Sequence, residues 1–177
     1  MMQAKASGWL ITCLLGLLVW ASDAHPVPCQ NNIPASNPDW VYIDHGDGTV
    51  TDTRTGLMWK QCVEGLSGAS CQTGSQQIFT WAEALVHAEA STFANYNDWR
   101  LPNVKELSSL VEECRAGPSI NTNRFPNTPN SGLFSSSPDA RSPLFSAFVW
   151  VVSFDDGANE EGLRGGTRGA RLVRGGQ

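Results

Sequence analysis

Tyr96-Asn97-Asp98-Trp99-Arg100-Leu101-Pro102-Asn103-Val104-Lys105-Glu106-Leu107 runs an aromatic, a proline and a helix start together in one short stretch. Asn103 stands three residues before Glu106, the spacing of a capping box in which each side chain satisfies the other's orphan backbone N–H. Pro102 keeps Leu101 extended, so the preceding segment ends before the helix begins. Beyond the cap, Leu107, Leu110, Val111 and Cys114 recur at helical spacing as one apolar stripe, leaving Lys105, Ser108, Ser109, Glu112 and Glu113 for water. Trp99 and Leu107 are expected in one core. A second capping box, Thr80 with Glu83, opens an earlier helix to about Ser91, with Trp81, Ala84, Leu85 and Ala88 on one side.

The chain start addresses compartment. Lys5 precedes an apolar run from Trp9 to Trp20 that closes on Ala21-Ser22-Asp23-Ala24, the layout of a cleaved secretory signal peptide. The run is too short for a hydrocarbon core that takes about 20 residues, so no retained transmembrane segment is expected. With residues 1–24 set aside, about 150 residues remain, enough for one domain, destined for the periplasm or the cell exterior. Lys5 and Asp23 cancel, so the formal net charge of −5 carries over and argues against nucleic acid as a partner. Cys29, Cys62, Cys71 and Cys114 are an even set in an oxidising compartment, which favours two disulfides. Three pairings are open to four cysteines. Cys62 and Cys71 flank the short Gly/Ser-rich run 63–70 and are paired locally, which assigns Cys29 to Cys114 and ties an N-terminal arm, residues 25–39, to the second helix. Zinc would call for closer spacings such as Cys-x-x-Cys.

Trp40-Val41-Tyr42-Ile43 reads as a strand, Gly46-Asp47-Gly48 as a turn, and Thr49-Val50-Thr51-Asp52 as its hairpin partner. A turn at Thr55-Gly56 leads to Leu57-Met58-Trp59-Lys60, and Trp40 and Trp59 are offered to the buried face. From Arg115 to Pro143 the chain is rich in Asn, Pro, Ser and Thr, predicting a long loop without regular structure and the best candidate binding surface. Phe148, Trp150, Val152 and Phe154 alternate with Val149 and Val151, and large apolar residues on both parities predict a central strand. Ala170-Arg171-Leu172-Val173-Arg174 predicts a closing strand with Leu172 on one face and Arg171 and Val173 on the other.

Six segments in order share one pattern: Gly46 to Asp52, Thr55 to Trp59, Asp98 to Pro102, Phe125 to Pro129, Ser135 to Pro138 and Arg171 to Arg174. Together they resemble the Lcl C-terminal domain family, over roughly Trp40 to Gly176, and place the domain at residues 40–177. The resemblance implies an α+β fold of C-type-lectin-like or formylglycine-generating-enzyme-like architecture, with two short amphipathic helices, an antiparallel sheet, long loops and two disulfides. It also implies glycan binding, because in the collagen-like adhesin that names the family the related domain is linked to sulfated glycans. Nothing here resembles Gly-X-Y repeats. Members commonly carry an aromatic-Trp pair before the serine run, where this chain has Leu133-Phe134.

The chemistry points to binding. A formylglycine-generating enzyme would need paired cysteines late in the chain, and no cysteine follows Cys114. His25, His45 and His87 stand in no nucleophile motif, and His87 falls four residues after Glu83, the spacing of a surface ion pair. Asp44, Asp47 and Asp52 cluster about a tight turn and are the candidate ligands for calcium, a hard cation that suits carboxylate oxygens. The same residues serve an Asp/Gly turn that needs no metal, the preferred reading. Arg164, Arg168, Arg171 and Arg174 are the densest positive group in an acidic chain and the candidate ligand-binding residues for sulfate or carboxylate groups. Trp40, Trp59, Trp81, Trp99 and Trp150 are assigned to the core. The expectation is therefore a non-enzymatic secreted module that binds a surface glycan or an envelope or surface protein. The alternative is a structural or assembly subunit of the bacterial cell envelope.

Overall fold

The structure is a computed structural model, in which residues 28–141 and 146–175 are described. The signal-peptide reading of residues 1–24 lies outside them. A 3-10 turn at Asp39–Val41 leads into strands β1 (Tyr42–Asp44), β2 (Thr49–Asp52), β3 (Met58–Lys60), β4 (Leu66–Ser67) and β5 (Thr73–Gly74). Helices α1 (Trp81–Glu89) and α2 (Val104–Ser108) follow, then β6 (Gly132–Pro138), β7 (Phe148–Ser153), β8 (Asn159–Leu163) and β9 (Val173–Arg174). The fold is α+β, built from small antiparallel sheets in the orders β1-β2-β3-β9, β4-β5 and β6-β7-β8.

Two hydrophobic cores lie on opposite sides of the β6-β7-β8 sheet. Leu133 and Val152 join Trp59, Leu107, Phe125 and Val173 in one; Phe134, Val149 and Val151 join Ala84, Ala88, Trp99 and Leu172 in the other. Neighbouring residues on a strand point to opposite faces, so a strand buried on both sides must be apolar on both parities. That is why β7 reads as it does, and it is the middle strand. The same alternation sends Leu172 to one core and Val173 to the other, as its parity predicts. Trp99 and Leu107, expected in one core, sit in different ones, with Leu101 packed beside Trp99.

Both capping boxes form. Glu83 N–H donates to Thr80 Oγ1 and Thr80 N–H to Glu83 Oε2, while Glu106 N–H donates to Asn103 Oδ1 (2.9 Å) and Asn103 N–H to Glu106 Oε2 (2.8 Å). The helix ends differ from expectation. α2 stops at Ser108, because Val111 bridges to Ile120 and Glu112 turns inward, so Leu110 and Cys114 are buried by the following turns instead of by a helical stripe. Strand β6 occupies part of the segment expected to lack regular structure. Its Ser135 hydroxyl donates to Trp150 O and Ser137 Oγ accepts from Val104 N–H, so pairing with β7 and α2 overrides a loop-like composition. Ile120 and Phe125 of that same segment are fully buried.

Trp40 is 79% exposed, against the expectation of a core residue. The strand begins only at Tyr42, and the preceding 3-10 turn sends Val41 inward and the indole out. Trp59 and Trp99 are core residues; Trp81 and Trp150 are half-buried. Cys29 pairs with Cys114 and Cys62 with Cys71, as expected.

Candidate binding site

The four C-terminal arginines do not act as one group. Arg171 is fully buried: Nη1 donates to Lys60 O (3.1 Å) and to Gln61 O, Nη2 donates to Thr128 Oγ1 (2.6 Å), and the guanidinium lies over the Phe125 ring. Burial pulls its pKa down to about 9, with Glu64 and Tyr42 opposing. This corrects its assignment to ligand binding, since no solvent-borne group can reach it. Arg174, of opposite parity, is spent on Asp98, with Nε to Oδ1 at 2.7 Å and Nη2 to Oδ2 at 3.0 Å, and lies over the Tyr96 ring. The bond to Arg174 holds the Asp98 carboxyl below its ordinary range.

Arg164 and Arg168 remain. The Gly-rich loop that carries them is pinned to the segment before α1: Phe79 and Arg168 exchange backbone hydrogen bonds, and Trp81 N–H donates to Arg164 O. The Arg164 guanidinium stacks over the Trp81 ring at 4.8 Å, and Trp81 is fixed by donating its indole N–H to Ser135 O. Arg168 is exposed and separates two shallow hollows, one reaching Ile78 and Glu160, the other Phe148, Glu161 and Leu163. Among the described residues neither Arg164 nor Arg168 pairs with a carboxylate, whereas Arg100, Arg141 and Arg174 each do. Trp81 as the support of Arg164 escaped sequence reasoning, because its place on the apolar side of a helix marked it as core.

Asp44, Asp47 and Asp52 do not converge. Asp44 Oδ1 accepts from Gly46 N–H and Asp47 Oδ1 from the Thr49 backbone and hydroxyl, so both serve their turn. The Thr49 hydroxyl holds the Asp47 carboxyl below its ordinary range. Asp52 lies at the far end of the hairpin, opposite Tyr42, buried and accepting from Arg54 N–H. The described group of three metal-ligating residue types is instead Cys29, Glu112 and Cys114, whose cysteines are consumed by a disulfide.

A charged network absent from the sequence reading lies nearby. Lys60 Nζ reaches Glu64 Oε1 at 3.0 Å and donates to Ser91 Oγ at 2.8 Å, and His87 Nε2 lies 2.7 Å from Glu64 Oε2. His87 thus faces Glu64, and Glu83 is engaged by Thr80, correcting the expected surface pair. Leu133 and Phe134, the departure from the aromatic-Trp pattern, are both fully buried, one in each core. No described helix is long and apolar enough to cross a membrane.

No curated protein sequence matches the chain. The family model of the Lcl C-terminal domain matches residues 48–174, which take in both helices, every described strand but β1, and the arginine loop. By that match, the chain belongs to the Lcl C-terminal domain family.

Proposed function

We propose that this domain is an exported, non-catalytic binding module of C-type-lectin-like architecture, acting in the periplasm or at the cell surface, which engages a sulfated glycan through Arg164 and Arg168. The observation that carries this reading is that these two guanidiniums have no carboxylate partner among the described residues, in a chain of net negative charge. A guanidinium fork matches the paired oxygens of a sulfate, and a single loop that carries both arginines can present two forks to one chain of sulfates. A second reading, packing against an envelope protein, draws on exposed Ile78 and Leu163, which flank Arg168.

The test is binding of a sulfated polysaccharide across a salt series, with and without calcium. Arg164→Ala/Arg168→Ala weakens binding and flattens its salt dependence, because exposed charges are screened over about 8–10 Å at ordinary ionic strength. Unaltered binding in the double variant, or no binding by the wild type at low salt, transfers the assignment to the envelope-protein reading.

A further inference from the structure

A cleft of about 580 Å³ opens between the β1–β2 turn, the chain from Lys60 through β4, and Phe93. Its size is that of a small-molecule site. The walls are held by backbone geometry. Gly48 has φ +86°, and a Cβ there would stand 2.8 Å from Phe93 Cζ, so only glycine lets the ring close that side. On the opposite side Gly65 has φ +88° and backs directly onto Ser75 O.

Gln61 lines the cleft at 7% exposure, and its side-chain amide makes no hydrogen bond to any described residue. Its backbone is fixed, with N–H donating to Gly48 O and the carbonyl accepting from Arg171. The amide atoms are not sealed from the cleft, so a ligand there can replace water on two donors and an acceptor that no described residue uses. At the rim, Asp44 and Asp47 each commit Oδ1 to their own turn and leave Oδ2 open. Deeper in, Lys60 is neutralised by Glu64.

We propose that this cleft binds one uncharged saccharide residue. The amide of Gln61 offers a donor and an acceptor side by side, as two neighbouring hydroxyls require. Open carboxylate oxygens accept hydroxyl protons, and the Phe93 ring gives a sugar's C–H face an apolar wall. Charge selects against an anion, which meets Asp44 and Asp47 at the rim, while the Lys60–Glu64 pair leaves the floor without net charge. The site shares no lining residue with the hollows around Arg168 and does not rest on the sulfated-glycan reading.

The experiment is a titration of the exported chain, followed by backbone amide NMR, with glucose, galactose, mannose and N-acetylglucosamine at millimolar concentration. At least one of them shifts the amides of Gly48, Gln61 and Gly65, with an affinity indifferent to salt. Gln61→Met, which keeps the chain length and removes the amide, lowers that affinity about tenfold, the scale of one buried hydrogen bond. Asp47→Asn, a surface change that preserves the turn acceptor, lowers it as well and covers the case in which Gln61→Met does not fold. Arg164→Ala/Arg168→Ala leaves it unchanged, which separates this site from the sulfated-glycan reading. Absence of binding by all four sugars, undiminished binding in both cleft variants, or salt-sensitive binding at these amides overturns the proposal.

Discussion

Arg171 and Arg168 stand three residues apart and have opposite physical roles. The first is surrounded by acceptors far away in sequence, the carbonyls of Lys60 and Gln61 and the hydroxyl of Thr128, and it joins β3, the arginine segment and the loop around Phe125. Arg171→Ala leaves a cavity and orphans those acceptors, so urea denaturation is expected to show a loss of about 3–5 kcal/mol. Arg168→Ala removes an exposed side chain whose hydrogen bond goes to the neighbouring Thr167 O, and stability stays within about 0.5 kcal/mol. Equal losses in the two variants would refute the division of roles. The parity that placed Arg171 with Val173 was legible from the strand pattern. Its burial was not, because arginine is almost never buried unless paired, and its acceptors come from backbone and hydroxyl groups that no local pattern announces.

The element that reads best is the start of α2, since a capping box is a contact between residues three apart. Glu106 does more than cap, for Arg100 clamps it with two hydrogen bonds of 2.7 Å. Burial pushes the Glu106 carboxyl up, but the bonds from Arg100 and from Asn103 N–H outweigh it, and the net position is below the ordinary 4.5. A depressed folded-state pKa contributes stability above the unfolded value, and that contribution is lost as pH falls through the folded value. Glu106→Gln is therefore less stable than the wild type above about pH 4.5, and the two melting curves converge under more acid conditions. A gap that persists in acid would show that the carboxylate charge is not its source. Where the contacts are non-local, legibility ends. The helical stripe continued past Ser108 because Leu110 and Cys114 keep the right spacing, yet the chain leaves the helix to bridge Val111 to Ile120. Strand β6 was hidden by a Gly-Leu-Phe-Ser-Ser-Ser-Pro composition that only its pairing with β7 makes extended.

At the scale of the whole molecule, the N-terminal arm precedes the family match, which begins at residue 48, and is nevertheless built into the fold. Cys29 is bridged to Cys114, and Gln30 N–H donates to Cys114 O. The buried Glu112 carboxylate accepts from the backbone N–H groups of Ser36, Asn37 and Cys114. The helical period had assigned Glu112 to water, so the pairing of the cysteines was readable and the carboxylate that supports it was not. The two bridges close loops of very different length, with sequence separations of 85 and 9. In the chain-entropy account a longer loop loses more freedom when closed in the unfolded state, which gives about 4–5 kcal/mol for Cys29–Cys114 and about 3 kcal/mol for Cys62–Cys71. Cys29→Ser/Cys114→Ser is therefore expected to lose more stability than Cys62→Ser/Cys71→Ser in denaturant titrations. It also frees the arm, so proteolysis of residues 28–38 accelerates in that variant alone. If the local bridge proves the more costly to remove, the arm is an appendage to the two-core body and Glu112 holds it without consequence for the rest.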